Sequence, residues 1–185
     1  MSIVEESKRS IRGALRFARL DARGIENFNV SIDGFWRSFA AAVLCLPGYL
    51  YLVASDGDLA KIDPAKMWVV QTIAYTLAWT AWPLMSFYMT RAFDRGDRYL
   101  AYIIVYNWAQ VVGYYAIVLV IVLFGESDMG RVVFTVVYFV VLAYEWFIAW
   151  KLLDIPVGGA IGVQFLNVLL GLAIFSAKGM LLQAP

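Results

Sequence analysis

The chain has 185 residues, of which 62% are apolar, 16% aromatic and only 16% charged, with a net charge of +1, one cysteine and no histidine. Soluble domains are about half apolar and a quarter charged, and one this small could not hide so much apolar surface from water. With a mean hydropathy of +0.71, the composition excludes a disordered chain, a disulfide scaffold and a nucleic-acid binder, and the missing histidine excludes His-ligated haem, chlorophyll or zinc and a Ser-His-Asp triad.

Residues 1–34 form a charged segment ahead of the first long apolar run and lack the pattern of a cleavable signal peptide. On a helical wheel of residues 3–25, Val4, Ile11, Ala14, Leu15, Ala18, Ala22 and Ile25 gather on one side. Lys8, Arg9, Arg12, Arg16, Arg19 and Arg23 fall in one other sector, while Phe17 and Leu20 lie off the apolar stripe. A basic amphipathic helix of this kind docks on anionic lipid at the membrane surface or packs on the protein's own cytoplasmic face. Gly24 is a stop signal for that helix, and residues 27–32 read as an extended connector.

A spanning helix needs roughly 20 mostly apolar residues. Five stretches meet this, at about residues 35–54, 67–89, 100–124, 132–150 and 157–182, so that residues 35–185 form one transmembrane domain. Charges and turn formers fill the gaps: Asp56-Gly57-Asp58, then the 93–98 run, then Gly125-Glu126-Ser127-Asp128, then 151–158. Lipid offers backbone groups no partners, and the runs are too continuous for barrel strands, so the expected fold is an all-α five-transmembrane-helix bundle preceded by the amphipathic helix. Asp63-Pro64 caps the second span, and Ser31 or Asp33 caps the first. Phe35, Trp36, Trp68, Trp146 and Trp150 sit where interfacial aromatics belong.

Basic residues set the orientation. Lys8, Arg9, Arg12, Arg16, Arg19, Arg23, Arg37, Arg91, Arg95, Arg98 and Lys151 fall on one side, against Lys61, Lys66, Arg131 and Lys178 on the other. The positive-inside rule puts the N-terminus in the cytoplasm of a bacterium and the C-terminus in the periplasm, with the protein in the inner membrane.

Polar groups inside spans are costly and therefore informative. At about 1.5 Å per residue from the cytoplasmic end, Glu145 lies roughly 8 Å deep, Asn107 and Gln164 roughly 10 Å, Thr80 roughly 13 Å, and Gln110 and Asn167 roughly 15 Å. Asn107, Gln110 and Tyr114 share a face, as do Gln164, Asn167 and Gly171, and Tyr138 lies two turns before Glu145. Such a slab is either a polar pathway with Glu145 as its titrating group or a seam of interhelical hydrogen bonds. Lys178, near the outer end of the fifth span, is expected to snorkel outward.

Gly158 and Gly162 make a G-x-x-x-G pair, and Ala109 and Gly113 a looser one, for close helix packing within the bundle or between copies. Pro47-Gly48 and Pro83 should kink or break their helices, and Cys45 reads as a small buried residue.

Two stretches carry a resemblance: Gly34-Phe35-Trp36-Arg37-Ser38-Phe39 leading to Leu46-Pro47-Gly48-Tyr49, and residues 101–110 with Tyr106-Asn107-Trp108. With Tyr144-Glu145-Trp146-Phe147 in the fourth span, the chain resembles an alphaproteobacterial family of small uncharacterised inner-membrane proteins, which brings no established activity. In topology alone it is similar to the Yip-type family of five-span proteins, which implies a role in membrane organisation.

No metal site, Gly-rich phosphate loop or nucleophile-base pair is legible, so no cofactor and no enzymatic chemistry are expected. The expected role is that of an accessory or organising element, forming homo-oligomers or joining a larger membrane complex. The alternative is a small transporter or channel subunit using the polar cluster around Glu145.

Overall fold

The computed structural model describes residues 2–125 and 127–183, so Met1, Glu126 of the third expected loop, Ala184 and Pro185 lie outside the described residues. Among the described residues there are seven α-helices: α1 (Ile3–Ala18), α2 (Ile32–Ser38), α3 (Ala40–Ser55), α4 (Pro64–Ala92), α5 (Tyr99–Phe124), α6 (Asp128–Leu153) and α7 (Val157–Gln183). Short 3-10 turns at Ala22–Asn27, Leu59–Lys61 and Gly96–Arg98 link them, and no strand occurs among the described residues.

Side-chain caps set the helix starts. Ser2 and Glu5 form a reciprocal capping box on α1. Ser31, Asp63 and Ser127 accept the backbone N–H of Gly34, Lys66 and Gly130 at 3.0, 2.9 and 3.0 Å.

Four helical stretches are long and apolar enough to cross a membrane: Ile32–Ser55, Gly96–Phe124, Asp128–Leu153 and Val157–Gln183. α4, at 29 residues, is longer than any of the other helices but less apolar than these four stretches, because Gln71, Thr72, Thr76, Thr80 and Ser86 interrupt its hydrocarbon character. The first stretch is not one unbroken helix; it divides at Phe39 between α2 and α3. Pro47-Gly48 and Pro83, expected to kink or break their helices, lie inside continuous helix. A proline removes one backbone donor and crowds the carbonyl of the preceding turn. Beside these prolines, tyrosine hydroxyls bridge to other carbonyls of the same turns: Tyr75 and Tyr115 donate to the Ala42 and Leu44 carbonyls at 2.6 and 2.7 Å, and Tyr99 donates to the Pro83 carbonyl at 3.1 Å.

The core centres on α5, whose residues Tyr102 to Ala109 are buried without interruption. α5 packs against α1, α2, α3, α4 and α6, while α7 closes the bundle against α4 and α6. The outside is apolar in turn: Phe139, Phe165 and Phe175 are 63%, 61% and 67% exposed.

The N-terminal segment docks on one end of the bundle. Phe17 meets Phe147 edge-on at 6.2 Å, and the Tyr144 hydroxyl donates to the Ala14 carbonyl at 2.8 Å. At the same end, Arg95 Nε donates to the Asp154 carbonyl at 3.2 Å, tying the α4–α5 connection to the α6–α7 connection. The buried face of α1 is Glu6, Ser10, Gly13, Ala14 and Phe17; of the expected stripe Ala14 is buried, Ile11, Ala22 and Ile25 are partly buried against the core, and Val4 and Leu15 are exposed. Close approach selects that face, since a Cβ on Gly13 would sit 2.5 Å from the Phe28 ring. α1 ends at Ala18 and not at Gly24; Leu20 takes the left-handed turn at φ 60°. Gly24 instead lies against Gly13, where an added Cβ would be 2.7 Å from its carbonyl oxygen. The connector is extended only after a 3-10 turn that reaches Asn27.

Candidate functional site

Three helices meet at Glu145. Its carboxylate accepts the Gln110 Nε2 amide from α5 at 2.8 Å, the Gln164 Nε2 amide from α7 at 2.7 Å and the Asn167 Nδ2 amide, also from α7, at 3.3 Å. Asn167 Oδ1 accepts in turn from the Tyr106 hydroxyl at 3.2 Å. Gln164 and Asn167 lie three residues apart, one helical turn, so both amides reach the same carboxylate from α7. Glu145 is 8% exposed, and its donors are carboxamides that leave neither carboxylate oxygen idle. Chemically this is a clasp: an acceptor-only group holds donors from α5 and α7 on either side of α6.

Gln110, Glu145, Gln164 and Asn167 thus come together as the depth estimate anticipated, and three other members of the expected cluster do not. Asn107 is fully buried but turns to the α2 side, donating to Ser38 Oγ at 2.9 Å. Thr80 is exposed and bonds its own helix, at the Thr76 carbonyl, at 2.8 Å. Tyr138 stacks its ring on Phe134 with centroids 6.1 Å apart.

A cavity of about 260 Å³ opens on the other side of Gln110, between α3, α4, α5 and α7. Cys45, Tyr49, Tyr75, Trp79, Tyr106, Asn107, Tyr114, Phe175 and Lys178 are among its walls. The kinking residues define it in part: Pro83 lines it, and Gly48 lets α3 approach the Tyr114 ring, where a Cβ would meet Cε1 at 3.1 Å. Lys178 is half-buried at this cavity, with its ammonium 5.4 Å from the Phe175 ring centre. Sequence reasoning missed the Tyr49–Gln71 pair (hydroxyl to Oε1, 2.6 Å), although Gln71 is only 1% exposed. Its signal was available, since a glutamine in an apolar helix needs a partner.

Of the small residues, Ala109 and Gly113 are buried, and a Cβ on Gly113 would lie 3.0 Å from Val141 of α6. Gly158 and Gly162 are exposed, with nothing within 4 Å of an added Cβ.

The basic residues of the N-terminal segment split. Arg9 Nε donates to the Asn27 carbonyl at 2.9 Å, Arg16 pairs with Asp21 at 2.8 Å, and Arg23 pairs with Asp21 at 3.1 Å, while Lys8, Arg12 and Arg19 are exposed. Arg16 first, and Arg23 with it, hold the Asp21 carboxyl below the usual carboxylate range. Arg37, read as part of the basic flank, reaches the buried Glu6 of α1 at 3.0 Å and Asp33 at 2.8 Å. Among the described residues no cluster of three or more His, Cys, Asp or Glu could hold a metal. Compared with family models, known proteins and solved structures, the chain finds no match.

Proposed function

We propose that the chain is a five-span protein of a bacterial inner membrane, with its N-terminus cytoplasmic and its C-terminus periplasmic. On this reading it acts without catalysis as an accessory or organising element, self-associating or seated in a larger membrane complex. α4 supplies the fifth span: it is 29 residues long and packs along α7. The basic end of the bundle, with α1 docked across it, faces anionic lipid through Lys8, Arg12 and Arg19. The exposed apolar flank of α1, Val4 and Leu15, rests on the same surface.

One observation carries the organising role. α7 lies at the edge of the bundle, buries only Ala160 and Val163, and leaves Gly158 and Gly162 open where another helix could approach closely. The carboxylate that could serve transport is meanwhile engaged by three amide donors in the Glu145 clasp. The test is stoichiometry after extraction in native lipid. Copies of the chain, or a fixed partner, should co-purify, and Gly158→Leu with Gly162→Leu should lower that association. A monomer with no partner in mild conditions refutes the reading. A small transporter or channel subunit is the second reading, favoured by the cavity beside Gln110; its mark is a pH-dependent flux in liposomes that Glu145→Gln abolishes.

A further inference from the structure

We infer that the α3–α4–α5–α7 cavity is a binding site for a lipid-soluble quinone, with its ring inside the bundle and its apolar tail leaving between α4 and α7. The inference rests on the membrane reading above and goes beyond it, because an organising element needs no ligand.

Four observations on the cavity converge. The first is its walls. Tyr49, Tyr75 and Trp79 stand in file, with ring centres 4.6 and 6.3 Å apart, and Tyr106, Tyr114 and Phe175 face them from α5 and α7. Aromatic walls favour a flat ring that can stack against them. The second is unmet hydrogen-bonding capacity. The Tyr114 hydroxyl is buried and has no partner among the described residues, and neither does Gln71 Nε2, behind the Tyr49 hydroxyl that donates to its Oε1. Buried polar groups in native folds are nearly always paired, so an orphan hydroxyl on a cavity wall marks a place where something else accepts. On the cavity wall itself the Tyr114 hydroxyl is free to donate, and the Lys178 ammonium adds a second donor, while Gln71 lies behind the wall. The complement is a ligand that presents acceptors and needs to donate nothing, which is the chemistry of quinone carbonyls.

The third observation is access. A second, almost wholly apolar groove of about 240 Å³ runs along α4 and α7, lined by Val70, Ile73, Leu77, Ala173, Ala177 and Leu181. It shares Ala74, Ile174 and Lys178 with the cavity, so a tail can run outward through it without crossing polar surface. The fourth is size. The cavity spans Tyr106 to Tyr114 on α5, about 12 Å at 1.5 Å per residue, and its volume is near the lower end of small-ligand sites, about 300 Å³. That suits a ring better than a ring and its tail together.

The experiment uses the full chain in nanodiscs of phosphatidylcholine, stripped of co-purified lipid. Decylubiquinone is titrated in while tryptophan emission is followed, with palmitate as the acyl-chain competitor. Quenching should saturate, be indifferent to palmitate, and weaken in two variants. Gly171→Leu projects into the cavity from a position where a Cβ meets nothing within 4 Å, and should raise Kd about tenfold or more. Tyr114→Phe keeps the shape and removes the orphan donor, and should raise Kd about fivefold, the worth of one hydrogen bond. Circular-dichroism melting shows that each variant keeps the fold, and Tyr114→Phe carries the test if Gly171→Leu does not. Quenching that rises without saturation is partition into lipid and overturns the site. Equal affinity in wild type and Tyr114→Phe overturns the donor argument, and displacement by palmitate assigns the cavity to an acyl chain instead.

Discussion

Replacing Glu145 separates a hydrogen-bonding clasp from a charge that the protein needs. Three donors point at the two carboxylate oxygens, from 2.7 to 3.3 Å. Glu145→Leu removes every acceptor and leaves three buried amide donors unpaired. Each unmade bond costs about 1–3 kcal/mol on soluble-protein scales, although measured interhelical bonds in membranes average nearer about 0.6 kcal/mol. The three lost bonds therefore cost between about 2 and about 9 kcal/mol, a large share of a marginal stability. Glu145→Gln behaves differently. Its carbonyl keeps the two α7 donors, and its amide faces Gln110, which needs only to rotate its own amide to present oxygen. The change weakens three charge-assisted bonds by about 1 kcal/mol each. It also relieves the cost of a carboxylate among apolar helices, about 2.5–3.5 kcal/mol at the centre of a span. The two nearly cancel, so Glu145→Gln should stay within about 1 kcal/mol of the parent. Unfolding in mixed micelles, titrated with denaturing detergent and followed by tryptophan emission, measures both variants. If Glu145→Gln falls as far as Glu145→Leu, the clasp does not rest on hydrogen-bond count, and the carboxylate's charge itself has a task.

Two further outcomes concern the N-terminal segment. A Cβ at Gly34 would lie 1.8 Å from the Asn29 carbonyl oxygen, so Gly34→Ala should open the segment before α2 by more than about 2 kcal/mol while leaving the bundle folded; faster amide exchange confined to residues 2–38 checks it. Asp21 has its carboxyl held below the ordinary value of 3.8 by Arg16 and Arg23, so the folded segment gains from the ionised form. That gain is complete at neutral pH and disappears as pH falls through and below 3.8, so the protection of residues 16–27, taken relative to the intrinsic exchange rate at each pH, should fall with acid in the parent and lose that dependence in Asp21→Asn.

Much of the architecture was legible because length and apolar content together say which helices can cross a bilayer, whereas α4 has the length and falls short in apolar content. Depth along those helices also placed Glu145 beside Gln110, Gln164 and Asn167 before any coordinates. Depth is one coordinate, however, and rotation about the helix axis is the other. Thr80 had the right depth and the wrong face, and a threonine can meet its need at the carbonyl four residues back in its own helix. Tyr106 escaped notice because its ring reads as core while its hydroxyl reaches Asn167. The wheel of the N-terminal segment held for Ile11, Ala14, Ala22 and Ile25 and departed elsewhere for a related reason. Hydrophobic periodicity ranks Val4 and Leu15 above Ser10 and Gly13, yet α1 docks through its small residues, which let Phe28 approach, and through Glu6, whose cation lies 31 positions away at Arg37.

The two polar systems divide the bundle into a fixed half and an adaptable one. On the α5–α6–α7 side, directional bonds converge on a single carboxylate and Gly113 fits against Val141, so a displaced helix would break several contacts together. On the α3–α4 side, both helices contain a proline, single tyrosine hydroxyls bridge to backbone carbonyls, and the cavity lies between these helices and α5 and α7. Sparse packing marks the low-stability part of a fold, where ligand-linked rearrangement is drawn from. The N-terminal segment docks on α5 and α6 through Ala14 and Phe17, with Tyr144 and Phe147 as its footing. It therefore stands on the fixed half. Its tie to the other half is Arg37 of α2, which reaches Glu6 of α1 at 3.0 Å in the same apolar stretch as α3, so a ligand that moved α3 would pull on the docked segment through that ion pair.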